Sequence, residues 1–212
     1  KAARMLRHLG HGPRIGRSDV STSSDDNLCT DVEATNAPIE ALQQLREQFN
    51  FRPDEIREIS VGGIEKLVTH HAIYRPTDLM MAQYSIPFCI ALSLYADPTD
   101  PESFNETQLK NKNILRIMRR VHLQVDDEIE RRGWDRAARV TVVLDNKERH
   151  SALVVHFKGT PDNPLTRAEV ESKARKLTRA LLPARRLARL IETVDHLDRV
   201  RDVSQLGALL KN

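Results

Sequence analysis

The stretch that most constrains this chain runs from Ile86 to Ala96, an apolar segment interrupted by Ser93. A run of this length is far short of the ~20 residues that cross a bilayer, and it suits a helix buried inside a globular domain. Ser85 stands where an N-cap belongs, and Pro87 fits the first turn, where a missing amide costs nothing. Asp97-Pro98 sets the end, because the residue before a proline is pushed out of helical conformation. A polar segment, His70 to Gln83, leads straight onto this dry helix. The chain must therefore build a core around it and hold an ionisable loop at its mouth.

On either side the pattern is mixed. Ile39, Leu42, Leu45 and Phe49 recur at helical spacing, with Asn36 as a cap and Pro38 in the first turn. Glu55 to Gly62 alternates like a strand, with Ile56 on the side of Glu58 and Ser60, opposite Ile59 and Val61. Gly62-Gly63 reads as a turn, and Met80-Met81 with Phe88 reads as core. Ile114, Leu115, Ile117 and Met118 mark a further helix, and Val121 to Val125 has strand character. Arg131 to Asp135 reads as a polar loop. Val140 to Leu144 and Ser151 to Phe157 form a hairpin around Asp145 to Glu148. Thr166 and Glu169 form a capping box, followed by an expected buried stripe of Val170, Ala174, Leu177 and Leu181. A second helix follows Pro183 through Leu187, Leu190, Ile191 and Val194. The order predicts an α+β fold: a small antiparallel β-sheet packed against several helices, with one buried central helix.

Charge and cysteine content narrow the partners. The 33 basic and 30 acidic side chains give a net charge of +3, too balanced to imply nucleic acid. Basic residues do crowd Arg167 to Arg189, but five phenylalanines, three tyrosines and one tryptophan offer little for base stacking. Cys29 and Cys89 make neither a disulfide framework nor a zinc pattern, which suits a reducing, cytoplasmic setting. The histidines show no ligand spacing, so no metal is expected. No segment is long enough for a membrane helix. Residues 1–27 read as a flexible leader or the remnant of a helical domain, and 28–212 as the α+β domain.

Four segments in order carry a family likeness: Thr35 to Leu42, Pro53 to Val61, Arg75-Pro76 with Ala82 to Phe88, and Lys158 to Thr166 with Glu169 and Lys173. Together they resemble the C-terminal domain of the MmgE/PrpD family, which includes 2-methylcitrate dehydratase and cis-aconitate decarboxylase. The resemblance implies a site for a small di- or tricarboxylate, closed by a helical domain and working by proton abstraction without a cofactor. It also implies a homodimer or association with a helical partner domain. The chain departs from that pattern where Asn27 and Asn36 replace a lysine and a histidine, and Gln83 replaces a basic residue. Asparagine supplies neither a general base nor a positive charge.

The resemblance points to Arg75 as a carboxylate clamp, Tyr74 as hydrogen-bond donor or acid, and His71 or His70 as base, with Gln83, Ser85 and Asn36 on the substrate side. The plainer readings are a solvated loop with Arg75 paired to Asp78, and Ser85 as a cap only. The function expected is thus a lyase or isomerase domain; the alternatives are a non-catalytic interaction domain and, less favoured, a nucleic-acid-binding domain.

Overall fold

The computed structural model describes residues 33–210; Asn27, Cys29, His8 and His11 lie outside them. A turn at Glu33–Thr35 opens into α1 (Asn36–Phe49). Asn36 is thus the first helical residue, with Thr35 in the cap position. Ile39, Leu42 and Leu45 are buried as their spacing predicts. Asn50, in left-handed conformation at φ 50°, ends the helix.

The chain then enters β1 (Ile56–Gly63). Strict alternation would put Ile56 on the face opposite Ile59 and Val61, yet all three are buried. A register shift between Ile56 and Glu58 resolves the conflict, since one extra residue turns the strand end so that Ile56 also faces the core. The expected turn at Gly62-Gly63 is instead the end of this strand, paired with Gln124 and Val125. Space is tight there: a Cβ on Gly63 would lie 2.7 Å from Leu67 Cδ1 and displace that side chain, and one on Gly62 would lie 3.1 Å from Asp126 Cβ.

Five helices separate β1 from the next strand: α2 (Glu65–His71), α3 (Leu79–Tyr84), α4 (Ile86–Ser93), α5 (Glu106–Leu109) and α6 (Lys112–Met118). Every residue of α4 is buried. It lies against α1, α6 and the strand that follows, β2 (Val121–Val125). Next come α7 (Asp127–Arg132), then β3 (Ala138–Leu144) and β4 (Arg149–Val154). Part of α7 falls where the sequence suggested only a polar loop. Its signals are Asp126, whose carboxylate accepts from the Glu128 and Ile129 amides at 3.0 and 3.1 Å, and Gly133, left-handed at φ 64°.

The sheet order is β2-β1-β3-β4. The α+β class holds, but the sheet is mixed rather than antiparallel, because β2 runs parallel to β1. After β1 the chain crosses over through α2–α6 and re-enters the sheet from the same end, which makes a parallel neighbour. One face carries Ile59, Val121 and Val142 and is covered by α1 and α4. The other face carries the polar row His122, Ser60, Thr141 and Ser151, with the Thr141 and Ser151 hydroxyls 3.0 Å apart.

The C-terminal third is α8 (Arg167–Thr178), α9 (Ala184–Asp195) and α10 (Ser204–Leu210). The capping box forms, with the Thr166 amide donating to Glu169 at 2.6 Å. The expected buried stripe does not: no residue of α8 is buried, and Leu177 is 50% exposed. The helix pattern is present, but nothing among the described residues buries it. Instead α8 is tied to the 97–102 loop by ion pairs, Lys176 with Asp97 and Arg179 with Asp100, each at 2.6 Å. No helix of the described residues is long and apolar enough to cross a membrane.

Candidate functional site

A half-open cleft of about 570 Å³ lies where α2 meets the start of the described chain and the turn before β3. Its walls include Lys66, Leu67 and His71 from α2, Glu33 from the opening turn, and Asp135 and Arg136 after α7. Leu67 and His71 are four apart, so they share one face of the helix. Arg136 Nε is held by Glu33 at 2.8 Å. Lys66 has no ion-pair partner among the described residues, so its ammonium is available to an anion entering the cleft.

His71 is fixed in orientation. Its Nδ1 lies 3.0 Å from the Tyr84 carbonyl oxygen, and its ring lies parallel to the Tyr84 ring at 6.2 Å and 7°. A carbonyl can only accept, so Nδ1 is the donor; the neutral ring then carries its lone pair on Nε2. That tautomer is the one a general base needs. A second bond holds the loop after His71: the Ser85 hydroxyl donates to the Ile73 carbonyl at 2.5 Å while accepting from the Phe88 amide at 3.1 Å. The same hydroxyl thus caps α4 and fastens the ionisable loop to it.

The other sequence-derived positions fall differently. His70 is exposed, with Nδ1 at 2.9 Å from Thr69 Oγ1 and 3.2 Å from the Lys66 carbonyl oxygen, and is not among the residues that line the cleft. Adjacent histidines on a helix point apart, and of the two only His71 lines the cleft. Tyr74 (40% exposed) and Arg75 sit on the open loop beyond His71 and do not line its cleft. The expected Arg75–Asp78 pair does not form; Asp78 caps α3, accepting from the Met81 amide at 2.8 Å. Gln83 is half-buried, and Ser85 is buried with its hydroxyl engaged. Asn36 is buried at the start of α1, two residues beyond Ala34 in the cleft wall.

Met80 and Met81 are not core residues. Met80 is 71% exposed, because α3 is short and turns only Ala82 fully inward. Met81, Tyr74 and Tyr84 are likewise exposed, on α3 and on the loop that follows His71. The remaining histidines serve elsewhere: His150 stacks on Phe49 at 3.8 Å, His156 faces Asp162 at 3.3 Å, and His122 lies exposed on the outer sheet face. Among the described residues no three His, Cys, Asp or Glu side chains group as a metal site. Cys89 is a buried thiol whose Sγ donates to the Ala82 and Gln83 carbonyl oxygens at 3.4 Å.

Sequence reasoning missed Lys66, Glu33, Asp135 and Arg136. Lys66 had a faint signal, one turn before His70-His71 on a helix expected from Ile64, Leu67 and Val68. Asp135 and Arg136 had none: the Gly133 turn and the β3 pairing bring them to the cleft across more than sixty residues of sequence.

Comparison with known proteins agrees with this architecture. The MmgE/PrpD C-terminal domain model matches residues 33–199. A curated relative, the cis-aconitate decarboxylase-like protein oryM of Aspergillus oryzae, is 26% identical over 204 residues, covering 92% of this chain and 42% of the relative. The chain therefore spans less than half the length of that protein.

Proposed function

The chain belongs to the MmgE/PrpD family through its C-terminal domain, and from that premise we propose that it supplies one half of a lyase or isomerase site for small di- or tricarboxylic acids. The observation that carries the reading is His71: its proton is held on Nδ1 by the Tyr84 carbonyl, and its ring borders a cleft shared with Lys66, whose ammonium has no ion-pair partner among the described residues. Lys66 binds a substrate carboxylate, while Arg136 on the opposite wall is engaged by Glu33. His71 Nε2 removes the proton next to that carboxylate. Loss of water or of carbon dioxide then depends on groups that this domain does not bring.

The helical partner domain would cover Tyr74, Met80, Met81 and Tyr84, four large apolar side chains left exposed between the end of α2 and the end of α3. Under that cover Tyr74 and Arg75 become part of the closed site, as acid and second carboxylate clamp, and Gln83 and Asn36 add neutral hydrogen bonds. Ser85 serves through its cap. We place the assembled protein in the cytoplasm, as a homodimer or as a complex with the helical domain.

The test joins the chain to the helical domain of a family relative and follows cis-aconitate and 2-methylcitrate by product analysis. Turnover is expected, with His71→Ala lowering it by about 10²–10⁴-fold, the scale of a general base. Lys66→Ala should weaken carboxylate binding by about 1.5–3 kcal/mol, the scale of a charged hydrogen bond. No turnover, together with no thermal shift from di- or tricarboxylates, would favour the second reading: a non-catalytic interaction domain. Asn36 motivates that reading, because it stands where the family resemblance places a histidine.

A further inference from the structure

The basic residues of the C-terminal helices divide into two groups. On α8 they are matched to carboxylates: Arg167 with Glu171 at 2.9 Å and with Asp195, Arg175 with Glu171 at 3.4 Å, Lys176 with Asp97 at 2.6 Å and Arg179 with Asp100 at 2.6 Å. On α9 the cations sit in the first turns, and among the described residues Arg185 and Arg189 make no ion pair. These two, with Arg186, line a groove of about 860 Å³ between α9 and α10. Thr193 and Gln205 add neutral polar groups, and Leu209 contributes to an apolar wall. Among the described residues no carboxylate lines it.

This arrangement is unfavourable by itself. Arg185 and Arg189 are one turn apart and repel each other. Arg185 also lies at the N-terminal, positive end of the α9 dipole, where acidic side chains are normally favoured. Both costs reverse when an anion enters, because guanidinium groups then bind its oxygens in pairs and the dipole adds to the attraction. The groove's volume matches that of ordinary organic ligands rather than a bare ion.

We propose that the groove between α9 and α10 binds an organic anion whose clustered phosphate or carboxylate charges are held by Arg185, Arg186 and Arg189. Thr193 and Gln205 contact the neutral polar part, and the wall at Leu209 packs against the carbon skeleton. This site is separate from the His71 cleft and does not depend on the reading given to it.

Isothermal titration of the full chain with ADP, citrate and inorganic pyrophosphate tests it. In the Lys66→Ala background, which weakens carboxylate binding at the His71 cleft, ADP or citrate should bind with 1:1 stoichiometry, and which of the two binds tighter identifies phosphate or carboxylate as the preferred charge. Arg185→Gln with Arg189→Gln should weaken that binding at least tenfold. A charge-matched control, Arg57→Gln with Arg149→Gln on exposed strand positions, should change it less than twofold. The proposal is overturned if neither ADP nor citrate binds at millimolar concentration. It is also overturned if pyrophosphate binds tighter than both, or if the control pair weakens binding as much as the α9 pair. Unchanged melting temperatures in both double variants would show that the fold is intact; should the α9 pair unfold, Gln205→Ala replaces it and should weaken binding measurably.

Discussion

Helices α4 and α8 begin in the same way and end up in opposite circumstances. Each has a hydroxyl cap at its start, Ser85 for one and Thr166 for the other, and each carries an apolar surface wide enough to need cover. Around α4 the chain provides that cover on all sides, from α1, α6 and β2, and the whole helix is dry. Around α8 the described residues provide ion pairs at the edge and a contact with α9, and Val170, Leu177 and Leu181 are left exposed. A periodic apolar pattern therefore says that a face must be buried. It does not say that the burying surface belongs to the same chain.

The largest expected effect sharpens this contrast directly. Phe88→Ala in α4 should destabilise the chain by about 3–5 kcal/mol, the usual range for a fully buried aromatic residue. Leu177→Ala in α8 should change stability by less than about 0.5 kcal/mol, as for other surface substitutions. Urea denaturation of the two variants measures both. A cost above about 2 kcal/mol for Leu177→Ala would mean that the stripe is covered even in the isolated chain, and the comparison would fail.

Next in size is the buried edge of the sheet. Burial pulls the Asp126 carboxyl upward, but the hydrogen bond from Arg139 Nε at 2.7 Å and those from the Ile129 and Glu128 amides outweigh it and hold the group below its ordinary range. A depressed folded-state value means that the stabilisation is complete above the unfolded carboxyl range, about pH 4, and is lost as pH falls through the lower folded value. Asp126→Asn should therefore cost about 1.5–3 kcal/mol at neutral pH. The difference between wild type and variant should shrink in acid. A gap that stays constant down to pH 2 would contradict the assignment.

Ser85→Ala removes the α4 cap and the tie to Ile73 together, at an expected cost of about 1–2 kcal/mol. The same substitution at Thr166, on the α8 side, removes only a cap. Amide exchange should rise at residues 71–78 in the Ser85 variant and stay unchanged there in the Thr166 variant.

The smallest effect has the opposite sign. Burial raises the Glu40 carboxyl despite its hydrogen bond from the Lys158 amide at 2.7 Å. A raised acid contributes its stability below the unfolded value and loses it as pH climbs through the folded one. Glu40→Gln should thus be neutral or stabilising by a few tenths of a kcal/mol at pH 7, as denaturation at pH 4 and pH 7 can show.

Much of the interior was legible in one dimension because its signals are local. Ser85, Pro87 and the apolar run fixed α4; Thr166 and Glu169 fixed the start of α8; the Asp145 to Glu148 turn fixed the hairpin. What escaped required distant partners. The parallel pairing of β2 with β1 has no local signature, since it depends on a crossover through five helices. The bulge that brings Ile56 inward is visible only as a mismatch with its partner strand. At the site, His71 and His70 were indistinguishable by sequence, and only the Tyr84 carbonyl separates them. Arg136 arrives by tertiary folding alone. Met80 and Leu177 were misplaced for a shared reason: hydrophobicity was taken as burial within the chain.

The crossover has a consequence for how the molecule is assembled. When β1 leaves the ribosome, both of its future neighbours are still unmade, so its two edges wait without partners while the helical segment up to Met118 is synthesised. Closing that gap carries the entropy of a long loop and makes docking of β2 a late, slow event. Until then β1 is an open template for strands of other chains, and truncations that stop before Val121 should form aggregates rather than a smaller domain.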